Sequence, residues 1–280
     1  MPKPTSRPST GVIILKQIEP HEWIFDMPRV TSEALDELHD GIDLLEAGRI
    51  TAAKTSFNRL VKKLPEFLDA HHHLALSWYR EGDHDKAGEL WARGAEFALK
   101  MLPAHFSMEK DHLPWMCLEN RPFLRLYNGH ALSLMRMRQT REALQVFRNM
   151  LNLNPHDNQG VRSLAITCHF ELQEPEGALE ICDRFPEDIA SETLYGRPLA
   201  LFQLERKDAA AKSMKMAINQ FPLIAAELLK AKHRRPPDLR EDRITFGGKD
   251  QAYHYWMESG KFWTETPGAL EFLMEHLTNR

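Results

Sequence analysis

Valine is nearly missing from this 280-residue chain, with five against 36 leucines. Leucine favours helices and β-branched residues favour strands, so a sandwich, a barrel or a large parallel sheet is excluded as the main architecture. Cysteine is scarce too. Cys117, Cys168 and Cys182 are odd in number and stand in no CxxC or finger spacing. That points to reduced thiols, away from a disulfide framework or a zinc site. No apolar run reaches the roughly 20 residues of a membrane span, and the run over 12–15 falls short of the roughly 7–15 of a signal peptide. The leader Met-Pro-Lys-Pro-Thr-Ser-Arg-Pro reads as flexible, and the cytoplasm is the expected compartment.

An excess of positive charge is lacking as well. The 36 basic and 40 acidic residues leave a net charge of −4, so nothing global attracts nucleic acid. The basic cluster over 230–235 is interrupted by Ala231 and closed by Pro236 and Pro237, and reads as a solvated helix end. Motifs of catalysis are absent: there is no GxGxxG, GxSxG or HExxH. Gly247-Gly248-Lys249 lacks the upstream glycine and following hydroxyl of a phosphate loop. No enzyme activity, metal or cofactor is expected.

What the chain does contain is 42% apolar residues, enough for a sizeable core, and an internal repeat. Gly41, Leu44, Gly48, Ala53, Phe57, Leu60 and Pro65 stand at offsets 0, 3, 7, 12, 16, 19 and 24. Small residues at Gly41 and Ala53 let two antiparallel helices approach, and Leu44, Phe57 and Leu60 fill the space between them. Gly48 permits the turn and Pro65 ends the second helix. The pattern recurs as Ala75, Trp78, Gly82, Ala87 and Trp91, then as Ala131, Leu134, Ala143, Phe147, Met150 and Pro155. A fourth copy holds Ala165, Cys168, Ala178 and Cys182, and a fifth Leu201, Ala210, Met214, Ala217 and Pro222. The alanine markers at 53, 87, 143, 178 and 210 are spaced by 34, 56, 35 and 32. The 56-residue step carries a 22-residue surplus, an insert near 100–121.

These marker positions resemble the 34-residue tetratricopeptide repeat (TPR). The resemblance implies an all-α, right-handed helical-repeat solenoid with about five helix pairs over 31–233. An N-terminal extension over 1–30 precedes it, and a linker with capping helices over 234–280 closes it. Glu-Asn-Arg-Pro-Phe-Leu-Arg (119–125) with Asn-Pro-His-Asp-Asn-Gln-Gly-Val-Arg (154–162) resembles a group of uncharacterised bacterial repeat proteins. The stretch over 218–273 is similar to the C-terminal part of the suppressor-of-tumorigenicity-7 family. It shares Asn219 with Pro222, Glu227-Leu228-Leu229-Lys230, Pro236-Pro237, Gln251-Ala252-Tyr253 and Gly268-Ala269-Leu270. That family is membrane-associated, and with no span here its membrane role does not carry over.

The TPR resemblance implies a groove lined by the first helices of successive units, on which a protein or peptide partner lies. Carried over by position, it holds Asp69, His72, His73 and Arg80 in the second unit, and Arg125, Asn128, Leu132 and Arg136 in the third. The fourth adds Gln159, Arg162, Ser163 and His169. Arg125, Arg136 and Arg162 would form a basic surface for an acidic segment or a carboxylate; alternatively these arginines pair with acids such as Glu171 or Glu119. Leu38, Ile42 and His73 stand where the chaperone-binding subset carries its carboxylate clamp, which argues against that clamp. The expected function is a non-catalytic, protein-binding scaffold or adaptor.

Two rivals belong to other classes. His105, Glu109 and His112 stand at i, i+4 and i+7, which on a helix would share one face and could seat a metal, making the chain a metal-binding protein or an enzyme that uses the His-rich insert. The adjacent His71, His72 and His73 point about 100° apart and cannot close on one ion. An RNA-associated repeat protein is the second rival. Trp115, Trp256 and Trp263 lie outside the markers and are expected to pack the insert and tail.

Overall fold

The computed structural model describes residues 13–237, 239–240 and 243–278; the expected flexible leader over 1–8 lies outside them. The chain divides into two compact units, the first reaching Val161 and the second starting at Arg162. No helix among the described residues is long and apolar enough to cross a membrane.

The first unit holds three helix pairs: α1 (Ser32–Glu46) with α2 (Ile50–Lys63), α3 (Leu68–Glu81) with α4 (His84–Leu99), and α5 (Arg121–Arg136) with α6 (Thr140–Leu153). Local chemistry sets several boundaries. Thr31 Oγ1 accepts the Ala34 amide at the start of α1, and Asp83 Oδ1 accepts that of Lys86 at the start of α4. Gly48 and Gly82 close α1 and α3 with φ of 74° and 96°, in the left-handed region. The corresponding turns of the later repeats have the same backbone without glycine: Arg138, Gln173 and Glu205 sit at φ 60°, 57° and 57°. Each costs roughly 1–2 kcal/mol, so packing of the pairs imposes this turn where the local sequence does not favour it. Between the helices, Ala53, Phe57 and Leu60 are fully buried in one cluster with Leu38, Leu45 and Leu74.

Two strands stand before the repeats, a feature that the helical reading of the chain omits. β1 (Ile14–Glu19) pairs antiparallel with β2 (Glu22–Asp26), with Leu15 opposite Phe25. Ile13, Leu15, Trp23 and Phe25 point inward at alternate positions, the period-2 pattern of a half-buried hairpin. The insert packs on this hairpin. Trp23 N donates to His112 O, and His112 N to His21 O. Buried Asn120 ends the insert in a one-turn helix over Leu118–Asn120. Its Oδ1 accepts from Phe25 N at 3.1 Å, while Nδ2 donates to the Trp23 and Pro114 carbonyls. The 22-residue surplus thus anchors the hairpin to the helices.

In the second unit, α7 (Val161–Glu171) and α8 (Pro175–Arg184) are followed by α9 (Ser191–Gln203) and α10 (Lys207–Gln220). Pro222 ends α10 and also opens a short helix outside the repeat pattern, α11 (Pro222–Leu228). Proline fits there because the first helical residue needs no amide hydrogen. The tail forms α12 (Lys249–Thr264) and α13 (Ala269–Thr278), which pack on α9, α10 and α11 as a helical cap. Trp263 is buried and donates to Tyr255 Oη, and Trp256 stacks on His233 at 3.7 Å. Cys168 and Cys182 are free, and burial pushes both thiols up to about 12.

Candidate functional site

The first unit contains a cavity of about 410 Å³ among α3, α4 and α5, within the size range of ligand pockets. Its apolar wall is made by Leu76 and Tyr79 of α3, Trp91 of α4 and Leu132 of α5. Tyr79 and Leu132 are 43% and 44% exposed at its mouth. Gly129 makes room for the wall: a Cβ there would stand 2.6 Å from the Trp91 indole. Polar groups come from His72, His84, Arg125, Asn128, Arg136 and Gln159. Among the described residues no acid lines the cavity.

Six of the twelve expected groove positions therefore meet here: His72, Arg125, Asn128, Leu132, Arg136 and Gln159. The others do not line this cavity. His73 lies on the same helix with its Nδ1 donating to Asp69 O, and Arg80 Nη1 donates to Leu45 O. Arg162 and His169 belong to the second unit. There Arg162 donates through Nε and Nη2 to the two carboxylate oxygens of Asp188, at 2.8 and 2.7 Å. His169 is buried, with Nδ1 3.1 Å from Glu174 Oε2.

The expected basic surface is largely neutralised. Arg125 Nη2 donates to both oxygens of Asp69, at 2.8 and 2.9 Å, and Arg162 is taken by Asp188. Neither acid is the Glu119 or Glu171 expected from the sequence, because α3 presents Asp69 across the interface to α5. Arg136 alone of the three is exposed and has no ion-pair partner among the described residues. Burial, then His73 and the Arg125 guanidinium, push His72 down from 6.5 to about 3, and burial lowers His73 as well.

That depression has a testable consequence. Unfolded His72 takes up a proton near 6.5, whereas the folded side chain stays neutral down to about 3. The stability it contributes is complete above pH 6.5 and is lost as the pH falls towards 3, at ~1.4 kcal/mol per pH unit for one proton. Trp91 Nε1 donates to His72 Nδ1 at 3.3 Å, an acceptor that His72→Asn retains. Urea denaturation from pH 7 to 4 is expected to show a shallower loss of stability for this variant. A wild-type slope would contradict the assignment.

Three polar atoms in the cavity wall are buried without a hydrogen-bond partner among the described residues: Arg125 Nε, Asn128 Oδ1 and His84 Nδ1. Folded cores leave few such atoms, and each costs about 1–3 kcal/mol. Sequence reasoning missed Leu76, Tyr79, His84 and Gly129. A glycine beside Asn128 in the middle of a helix was the available signal, since glycine there is unfavourable unless a neighbour needs the space.

The proposed metal face does not form. Residues 105–112 are turns and extended chain, so the spacing of His105, Glu109 and His112 no longer aligns them. His105 lies against the Trp23 ring and His112 Nδ1 donates to Asn152 O. Among the described residues no group of three His, Cys, Asp or Glu side chains is placed to hold a metal.

Known proteins with this architecture are helical-repeat proteins. A tetratricopeptide repeat protein from Parabacteroides merdae ATCC 43184 is 12% identical, with a TM-score of 0.51 over 88% of this chain and 85% of its own. The MamA protein, also 12% identical, gives 0.50 over 72% of this chain and 97% of its own. These likenesses establish the TPR-like fold alone. No curated protein matches the chain. A family model described as transcriptional repressor TCF25 matches residues 50–266, a span that includes most of the segment resembling the suppressor-of-tumorigenicity-7 family. Since that match takes in all five helix pairs but the first helix, and well over half of the chain, the chain belongs to the Tcf25 family.

Proposed function

We propose that this chain is a non-catalytic scaffold or adaptor that binds a protein or peptide segment, and that the cavity among α3, α4 and α5 is where the segment docks. The observation that carries the reading is the cavity wall. Exposed Tyr79 and Leu132 stand beside three buried polar atoms left without partners, a cost that a bound segment offsets by supplying hydrogen bonds. The family's description adds a setting, in which the adaptor works in transcriptional repression. Its expected compartment is the cytoplasm, and its expected ligand is acidic.

Affinity capture with Leu132→Glu tests the docking surface, and Met274→Glu on α13 serves as a control because Met274 is 51% exposed in the second unit. Loss of specific partners from the first variant alone, with circular dichroism unchanged, is the expected result. An identical partner list for both variants and the wild type would sink the proposal.

A further inference from the structure

Leu132, Asn128 and Arg125 precede Arg136 on α5 at intervals of four, four and three residues, so these side chains form one stripe on the cavity side. At 1.5 Å per residue the stripe is about 16 Å long, the length of about five extended residues. An extended segment suits its chemistry better than a helical one. Among the described residues Asn128 Oδ1 and Arg125 Nε lack hydrogen-bond partners, and both side chains line the cavity. Such groups pair with backbone N–H and C=O, which an extended chain presents and a helix has already used.

The two ends of the stripe differ in charge. At one end Asp69 already takes Arg125 Nη2, leaving Nε to read a neutral carbonyl. At the other end Arg136 is an exposed guanidinium with no ion-pair partner among the described residues. Its place in the last turn of α5 favours a cation but leaves its fork of donors open to a carboxylate. A cationic ligand meets Arg125, Arg136 and no lining acid. Between the ends, Leu76, Tyr79, Leu132 and Trp91 offer an apolar surface. Leu132 is one helical turn from Arg136, about 6 Å, which two extended residues span.

Resting on the docking site proposed above, we infer that it selects an extended protein segment in which an apolar side chain lies within two residues of a carboxylate. The apolar side chain packs on Leu132 and Tyr79, and Arg136 holds the carboxylate, whether of Asp, Glu or a chain terminus.

The test uses the full chain and a bead-bound pentapeptide library whose centre is Leu, Ile, Met or Phe and whose other positions are randomised, in free-acid and amide forms. Bound peptides are expected to carry Asp, Glu or the terminal carboxylate within two residues of the centre at least tenfold more often than Lys or Arg. Arg136→Glu is expected to invert that preference towards Lys and Arg. The substituted side chain is exposed, so loss of fold is checked by circular dichroism and thermal melting. Peptides that bind the wild type, are lost with Leu132→Glu and show no charge preference would overturn the carboxylate inference and leave the docking reading standing. So would a preference unchanged by Arg136→Glu. No enrichment of any peptide on the wild type would overturn both.

Discussion

Truncating Phe57 to alanine is expected to destabilise the first unit by about 3–5 kcal/mol, the range for removing a buried phenylalanine. Phe57 is fully buried and touches both sides of the helix pair. Its ring lies where a Cβ on Gly41 would stand, 2.5 Å from Cε1, and 5.6 Å from the His73 ring on α3. The missing ring leaves a cavity that three helices bound, and backbone hydrogen bonding stops them from closing it. Gly41→Ala should also destabilise, because the overlap outweighs the ~1 kcal/mol helical advantage of alanine. In the Phe57→Ala background the same change should become neutral or favourable. A urea-denaturation cycle of the two single variants and the double variant measures this coupling; additive effects would show that the two residues do not share the space.

The second large effect concerns Asp188. Its oxygens accept from Arg162 Nε and Nη2, from Thr193 Oγ1 at 2.5 Å and from Ala190 N at 3.3 Å. Asp188→Ala removes this carboxylate from the partly buried Arg162 guanidinium, and losing hydrogen bonds to a charged group costs about 1.5–3 kcal/mol. Burial pushes the Asp188 carboxyl up, but hydrogen bonds from Arg162 and Thr193 and the guanidinium charge outweigh it and hold it below 3.8. The unfolded state therefore protonates first on acidification. The contribution is complete above the unfolded value and is lost as the pH falls through the folded one. Wild type and Asp188→Asn should differ in midpoint urea concentration at pH 7 and converge at acid pH. An equal gap at both would place the effect in packing instead of charge. Arg162, read from the sequence as a groove residue, then acts in the second unit as a structural cation.

The repeat was legible because its packing depends on residue size at fixed spacing. Gly41, Ala53 and Phe57 announce a close helix pair whatever surrounds them, and alanine recurs at 87, 143, 178 and 210 for the same reason. The turns were legible only where glycine supplied the left-handed backbone, at Gly48 and Gly82; Arg138, Gln173 and Glu205 adopt it under packing and carry no such mark. The hairpin over 14–26 was hidden because its inward residues Trp23 and Phe25 meet their partners about 90 positions later, at His112, Asn120 and Phe123. A short alternation cannot declare itself when the surface that completes it lies that far along the chain.

Position along a repeat placed Arg125, Asn128 and Arg136 on one helix face, which periodicity determines by itself. Whether those arginines are free depended on which carboxylates arrive opposite them, and that is a property of helix pairing. Asp69 reaches Arg125 from α3, Asp188 reaches Arg162 from the loop before α9, and no described acid reaches Arg136. The sequence on its own therefore determined the helical repeat and the face that could bind. Only the tertiary structure decided that one unpaired guanidinium, a glycine-lined apolar wall and three polar atoms without partners among the described residues meet at the proposed site, because charge neutralisation and cavity shape arise between helices.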